Sequence, residues 1–395
     1  MRVVDVTSFF SDSCGGIKTY YQAKARFLPA LGVDCHFVVP GPRRTEESFG
    51  AAVLHRLPGP RLPGNRHYRL FGRLRAVIDL VARLAPDVVE VGSHYLLPGA
   101  IERLRWQRSS SGTRPRPRLV GFFHSDIART LVAPLAAHLP ALLRRQLMAG
   151  VWRWVRRQHR RYDATLVASP DTASELEARG LPGVRCVGLG VDTEVFHPGA
   201  SAGDGRTEHP PTVVYAGRLS SDKSLGLLLS AWDGIHRQTG ARLRVLGDGP
   251  QHGRLMHFAA SRPHVAVEGY LADRAVVAAV LAAADVAVTP GAGETFSLST
   301  AEALACGTPV LAPSAGGAGE LVTRSGGGLC FQPGDARALT SAAIQLLSLP
   351  EAERAALGDR GRAHMAANHG WPAVCRRILA AYQEPPGRNG AREAA

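Results

Sequence analysis

The run Gly291-Ala292-Gly293-Glu294-Thr295-Phe296-Ser297-Leu298-Ser299-Thr300-Ala301-Glu302-Ala303-Leu304-Ala305-Cys306-Gly307-Thr308-Pro309-Val310 follows directly on a short β-branched segment at residues 285–289. It reads as a strand, a glycine-rich turn and a helix. Such a turn leaves backbone N–H groups unpaired at the positive end of a helix dipole, which makes a site for an anion such as phosphate. The same alternation of short apolar strands and helical stretches recurs along the chain, and it is the mark of parallel sheets covered by helices. In the first half the β-branched runs are 3–10, 33–39, 87–91, 119–124 and 165–169, and in the second 212–216, 242–246, 265–268, 285–289 and 309–312. The expected fold class is α/β, with two domains of parallel sheet covered by helices.

Two carboxylates, Glu294 and Glu302, stand eight positions apart in the quoted run. If the helix ran throughout, eight steps of rise would set them about 12 Å apart on broadly one side. That separation suits two ends of one ligand, such as the sugar and the ribose of a nucleotide sugar, better than paired acid–base work on a single bond. A plainer reading stands beside it, because Ser299-x-x-Glu302 also fits a capping box. Upstream, Tyr215-Ala216-Gly217-Arg218-Leu219-Ser220-Ser221-Asp222-Lys223-Ser224 follows the first strand of the second half. Arg218 and Lys223 thus fall at the carboxyl edge of a sheet, where open α/β sheets bind ligands. A planar guanidinium and a point-charge ammonium together can neutralise a diphosphate leaving group without a metal.

The chain has 395 residues, enough for two or three domains. The 47 Lys and Arg against 33 Asp and Glu leave +14, a field that favours anionic partners without choosing among them. Only Lys18, Lys24 and Lys223 are lysines, so the charge is almost all arginine and partly a composition bias. A nucleic-acid-binding protein is the rival suggested by this charge, but no zinc finger or aromatic RNA-binding motif accompanies it, and no nucleic-acid partner is expected. The six cysteines lack C-x-x-C or Cys/His spacing, which argues against a disulfide framework or a zinc site. The N-terminus lacks the apolar core of a signal peptide, because Asp5 interrupts it. No apolar stretch is long enough to span a bilayer. These features predict a cytoplasmic protein, with peripheral contact to the inner face of the cell membrane as an open alternative.

Together the motifs resemble the family-4 retaining glycosyltransferases of GT-B architecture, over most of the chain. The resemblance rests on Glu294 and Glu302, on Gly217-Arg218 followed by Lys223, and on Gly247-Asp248-Gly249-Pro250. It rests also on Gly190-Val191-Asp192 with Phe196-His197-Pro198, and on Gly15-Gly16 in Ser13-Cys14-Gly15-Gly16-Ile17. It implies two Rossmann-like, doubly wound domains facing a central cleft. It implies that Arg218 and Lys223 grip the donor diphosphate, Glu294 contacts the sugar, Glu302 the ribose, and the backbone around Thr295, Phe296, Ser297 and Leu298 the phosphates. Gly217 belongs to the same donor loop. Gly15 and Gly16 would let backbone approach the donor, and His124, ending Val120-Gly121-Phe122-Phe123-His124, matches a histidine that faces the sugar. The sequence departs from the common family pattern where Thr295 and Ser297 replace frequent Pro and Gly, and where Ser224 replaces a frequent Gly. The implied reaction moves a hexosyl unit of mannose or glucose type from a UDP- or GDP-sugar to a hydroxyl of a glycan, lipid or lipid-linked acceptor. Front-face attack with retention is implied, with no cofactor beyond the donor substrate. No Asp-x-Asp triplet occurs, so no metal is expected. A sugar-nucleotide epimerase, a phosphorylase or a non-catalytic relative of the same fold are alternatives that fit the motif set less well.

The expected domains are 1–196 on the acceptor side and 211–365 on the donor side, joined by a Pro/Gly/Ser linker at 197–210. A closing helix at 366–383 is expected to pack back on the first domain, followed by a disordered tail at 384–395. The segment 109–117 reads as an exposed loop. Residues 142–162 form an amphipathic basic helix, with Leu143, Leu147, Val151 and Trp154 at helical spacing and Arg153, Arg156, Arg157, Arg160 and Arg161 on other faces. It would either dock on anionic lipid or pack on the core with a solvated arginine face.

Overall fold

The computed structural model describes residues 1–11, 15–62, 68–92, 97–102, 116–124, 126, 128, 132, 135, 136, 138–200 and 210–384. Ser13 and Cys14 of the glycine turn, most of the 109–117 segment, linker residues 201–209 and the tail from 385 lie outside the described residues. The chain divides into two units, Met1–Gly188 with Trp371–Ala395, and Leu189–Gly370. The division falls at Gly188, ahead of the 197–210 stretch. Residues 189–196 are tied to the second unit, because Val191 N–H donates to His369 O at 2.8 Å and the His369 ring meets Leu189 O at 3.0 Å.

In the first unit an eight-stranded sheet runs in the order β3-β4-β2-β1-β5-β6-β7-β8. Its strands are β1 (Arg2–Val6), β2 (Asp34–Gly41), β3 (Thr45–Phe49), β4 (Ala52–Pro58), β5 (Val88–Val91), β6 (Arg118–Phe122), β7 (Ala164–Val167) and β8 (Val184–Cys186). All neighbours are parallel except the β3–β4 hairpin, which turns at Gly50. Strands β1, β5 and β7 are buried on both faces, as expected for β-branched segments covered by helices on either side. The helices are α1 (Gly16–Phe27), α2 (Leu74–Leu84), α3 (Ala141–His159) and α4 (Pro170–Ala178), with a late helix Trp371–Gln383 returning from the far end of the chain.

One polar cluster lies inside this unit. The register sets Asp5 of β1 beside Glu90 of β5, and Lys24 of α1 covers both. Lys24 Nζ lies 2.5 Å from Asp5 and 3.3 Å from Glu90, with all three side chains at most 1% exposed. Lys24 also donates to Tyr382 Oη at 2.8 Å, Tyr21 Oη donates to Asp5 at 2.7 Å, and Tyr382 Oη donates to Glu90. Burial, and then the negative charge of Glu90, push the Asp5 carboxyl up to about 8. Burial alone would lower the Lys24 ammonium, but Asp5 and Glu90 outweigh it and hold it above its ordinary value. At neutral pH the cluster is thus one cation, one anion and one protonated acid, with no net buried charge.

The second unit holds a six-stranded parallel sheet in the order β11-β10-β9-β12-β13-β14. The strands are β9 (Thr212–Ala216), β10 (Arg242–Leu246), β11 (Val265–Gly269), β12 (Val286–Val288), β13 (Val310–Pro313) and β14 (Gly328–Phe331). Counted within the unit, this is the 3-2-1-4-5-6 order of a doubly wound nucleotide-binding sheet. Its helices are α5 (Leu225–Thr239), α6 (His252–Ala259), α7 (Arg274–Ala283), α8 (Leu298–Ala305), α9 (Gly316–Ser325), α10 (Ala336–Leu347) and α11 (Glu351–Asn368), after which Trp371–Gln383 is α12. The core is built on Trp232, Leu228, Val245, Leu339 and Leu346, all fully enclosed. The expected closing helix at 366–383 therefore resolves into the end of α11 and the separate α12. Among the described residues no helix is long and apolar enough to cross a membrane.

Candidate active site

In a 3-2-1-4-5-6 sheet the chain turns in opposite directions after the first and fourth strands, which opens a crevice at their carboxyl ends. Here those strands are β9 and β12, and the loops that follow them carry Gly217, Arg218 and Lys223 on one side and Glu294 to Ser297 on the other. Lys223 Nζ reaches Glu294 Oε1 at 2.6 Å, with the two side chains 20% and 18% exposed. Arg218 is exposed on the same loop, whose shape is fixed by Tyr215 Oη donating to Arg218 O at 2.8 Å.

Backbone-on-backbone packing holds these loops together. A Cβ at Gly247 would lie 1.9 Å from Gly217 O, and one at Gly249 would lie 2.5 Å from Leu219 O, so the Gly247-Asp248-Gly249 turn sits directly against the Arg218 loop. Leu219 N–H donates to Asp248 O at 2.9 Å. On the other side Gly317 N–H donates to Glu294 O at 2.7 Å, and a Cβ on Gly317 would meet Phe296 backbone at 2.4 Å. Gly316 and Gly317 are site-shaping residues that the sequence reading did not single out. Their signal was a run of glycines at a strand-to-helix junction.

Helix α8 begins at Leu298, so Glu294 stands on the loop before it and the two glutamates do not share one continuous helix. The break comes at Ser297, whose φ of 72° lies in the left-handed region. Its hydroxyl does not cap the helix; it bonds Thr300 Oγ1 at 2.9 Å, which in turn meets Thr289 Oγ1 at 3.0 Å. The first-turn amides of a helix have no partner within it. Those of Leu298 and Ser299 are therefore offered to an anion at the dipole's positive end. Thr295 is half-buried and Phe296 is buried beneath this turn. The capping box does not form, because Glu302 instead receives Arg274 Nη2 at 2.7 Å. Burial holds the Glu302 carboxyl above its usual range, and Arg274 offsets only part of that rise. Arg274 was not among the expected site residues. It lies 28 positions upstream and belongs to no local motif.

In the first unit, Gly15 caps α1 with φ 108°, a conformation that L side chains rarely adopt, and Gly16 is exposed at the helix start. Both follow β1, which is the first strand of that unit's own sheet. His124 comes two residues after β6 ends. Its ring stacks on Phe122 at 4.0 Å and meets the edge of Tyr20 at 5.3 Å, and the Tyr20 hydroxyl donates to Glu90 at 3.0 Å.

Comparison with known proteins decides the family. The family model described as Glycosyltransferase Family 4 matches residues 14–195, and that described as Glycosyl transferases group 1 matches residues 210–349. A GDP-mannose-dependent alpha-(1-6)-phosphatidylinositol dimannoside mannosyltransferase of Mycobacterium tuberculosis is 30% identical, over 90% of both chains. The chain belongs to the family-4 glycosyltransferases. A GDP-mannose-dependent alpha-mannosyltransferase of Corynebacterium glutamicum is similar to this glycosyltransferase at 26% identity, over 97% of this chain and 89% of that protein. Among solved structures, sucrose-phosphate synthase from Thermosynechococcus elongatus shares the fold with a TM-score of 0.74 at 22% identity, covering 97% of this chain and 98% of that one. The two Rossmann-like sheets of this glycosyltransferase are those of the GT-B class.

Proposed function

We propose that this glycosyltransferase transfers a mannosyl unit from GDP-mannose to a hydroxyl of a lipid-linked acceptor, with retention of configuration and without a metal ion. The observation that carries the reading is the Lys223–Glu294 pair at the β9/β12 switch point, beside the open amides of α8 and the exposed Arg218. Arg218 and Lys223 would take the departing diphosphate, with the α8 amides supporting it as negative charge develops. Glu294 would accept from sugar hydroxyls and Glu302 from the ribose diol. Cations already supplied by the chain do the work that a bound metal does elsewhere. The acceptor hydroxyl would attack from the face that the diphosphate leaves, passing its proton to a departing phosphate oxygen, so the protein's task is positioning and charge stabilisation. GDP and mannose are favoured over other donors because both mannosyltransferases named above are GDP-mannose-dependent.

A lipid-linked acceptor would bring the enzyme to a membrane surface, and α3 supports this. The helix buries Trp152, Val155 and His159 and packs Val151 beside them, whereas Leu143, Leu147 and Trp154 of the expected apolar stripe face outward. Leu142 is 67% exposed and Leu143 51%, with Arg144, Arg145, Arg153 and Arg157 exposed along the same helix. Apolar side chains flanked by arginines match an anionic bilayer surface. The test is GDP release from GDP-mannose, beside UDP-glucose and ADP-glucose, with EDTA present and with phosphatidylinositol mannosides as acceptor in anionic or neutral vesicles. Turnover with GDP-mannose alone, faster on anionic vesicles, is the expected result. Turnover with another donor, or only after divalent metal is restored, overturns the corresponding part.

A further inference from the structure

Arg274 occupies an unfavourable place for a cation. It is the first residue of α7, behind the N-cap Asp273, where the positive end of the helix dipole repels it. Two contacts hold its guanidinium there. Its Nη2 meets Glu302 Oε1 at 2.7 Å, and its Cζ lies 4.8 Å from the ring centroid of Phe196. Phe196 is wholly enclosed, and its N–H donates to Asp192 O at 2.8 Å. A Cβ on Gly307, just past α8, would come 3.1 Å from Pro198 Cγ. The Asp192-to-Pro198 segment, a motif whose purpose the site description leaves unassigned, is thus a platform under Arg274 and the end of α8.

We propose that Arg274, seated on Phe196, is a positioning residue that orients the Glu302 carboxylate for a ribose diol. The inference rests on the reading of Glu302 as the ribose contact. Arg274 engages Oε1, which leaves Oε2 to accept from vicinal hydroxyls and fixes the rotation of the carboxyl plane. The Glu302 side chain is only 12% exposed, so without a cation its charge would be poorly solvated. Among the described residues, the groups whose charge couples to Glu302 besides Arg274 are Glu294 on the preceding loop and Cys306 at the end of α8, and neither is a cation.

The experiment compares binding of GDP and of 2′,3′-dideoxy-GDP by calorimetry to the whole chain and to the Arg274→Met, Arg274→Lys and Phe196→Leu variants. A hydrogen-bonded carboxylate on the diol should favour GDP about 10–100-fold in the wild type. Arg274→Met should reduce that preference to about 3-fold or less while dideoxy-GDP affinity, set by the phosphate loops, stays within about 3-fold. Arg274→Lys should restore part of the preference, and Phe196→Leu should lower it. Such a change in discrimination is something a merely structural role would not produce. A preference that survives in Arg274→Met overturns this inference alone. Wild-type binding with no preference for the diol overturns the ribose role of Glu302. Failure of the wild type to bind GDP, UDP or ADP overturns the glycosyltransferase reading itself.

Discussion

Replacing Lys24 by methionine would strip the only cation from a cluster in which Lys24, Asp5 and Glu90 are each at most 1% exposed. The Nζ contacts to Asp5 at 2.5 Å, Glu90 at 3.3 Å and Tyr382 at 2.8 Å would all go. Glu90 would then be an unpaired buried anion, and the fold would have to keep it protonated. Holding a carboxyl protonated at pH 7 against an ordinary value of 4.5 costs about 3 kcal/mol, and the lost charged hydrogen bonds bring the total to about 3–5 kcal/mol. The sign with pH follows from proton counting. In the variant the folded state keeps a proton that the unfolded chain has released, so stability falls as pH rises, by about 1.4 kcal/mol per pH unit above the ordinary carboxylate value. The deficit relative to wild type should therefore shrink between pH 7 and pH 5. Asp5→Asn, by contrast, replaces an acid that the fold holds up to about 8 and so removes the cost of keeping it protonated at pH 7, and the variant should be at least as stable as the wild type there. It should also remove the wild type's own loss of stability as pH climbs toward 8. Urea-dependent hydrogen exchange on peptides covering β1 and α1 reads the first unit by itself. A Lys24→Met deficit under about 1 kcal/mol, a deficit that is the same at pH 5 and pH 7, or an equal cost for Asp5→Asn would refute the reasoning.

Lys223→Met and Glu294→Gln should each lower kcat/KM for GDP-mannose by about 100-fold or more, while the thermal transition moves by only a few degrees. Ser224→Gly should raise stability by about 0.5–1 kcal/mol, since Ser224 holds φ 53° where glycine carries no steric cost, and Ser224→Val should lower it by more than about 1 kcal/mol in thermal melts. Gly247→Ala should abolish nucleotide binding in calorimetry, because its Cβ would stand 1.9 Å from Gly217 O and must displace the Arg218 loop.

Both sheets were legible as far as β-branched runs announced them. The edge strand β3 was not, because Thr45-Glu46-Glu47-Ser48 is polar and no burial imposes an apolar pattern there, and its neighbour β4 was not, because His55-Arg56 interrupts its apolar run although the strand is largely buried. Strands β8 and β14 were not announced either, because β8 exposes Arg185 and Cys186 and β14 is mostly half-buried. At the site, Lys223 and Glu294 were found from motif spacing, and the structure brings them to 2.6 Å. Arg274 was missed because its partner Glu302 lies 28 positions away, and only the packing of α7 against α8 joins them. The apolar spacing on α3 left two readings open, and the structure divides its residues between them, with Val151 packed on the core and Leu143 and Leu147 facing outward. Periodicity identifies an apolar face, but Trp152 and Val155 compete with Leu143 and Leu147 for the core, and tertiary packing chose the former.

The departures from the common family pattern have a backbone meaning that composition could not show. Among the described residues, three non-glycine positions have positive φ: Ala85, Ser224 and Ser297. Two of these are the places where serine stands in for a frequent glycine, one at the end of the Lys223 turn and one at the start of α8. A side chain in this region costs about 1–3 kcal/mol unless its surroundings hold it. At Ser297 the holding contact is visible, because Oγ meets Thr300 Oγ1 at 2.9 Å and Thr300 meets Thr289 at 3.0 Å, all three hydroxyls buried. The serine therefore exchanges the freedom of glycine for a hydroxyl chain that anchors the α8 N-terminus to the end of β12. The amides offered there are fixed by side-chain chemistry as well as by backbone shape. On this reasoning Thr300→Val should loosen the turn at Ser297 and weaken phosphate binding, whereas the double variant Ser297→Gly with Thr300→Val should regain most of it. A double variant no better than Thr300→Val alone would show that the hydroxyl chain does not hold the turn.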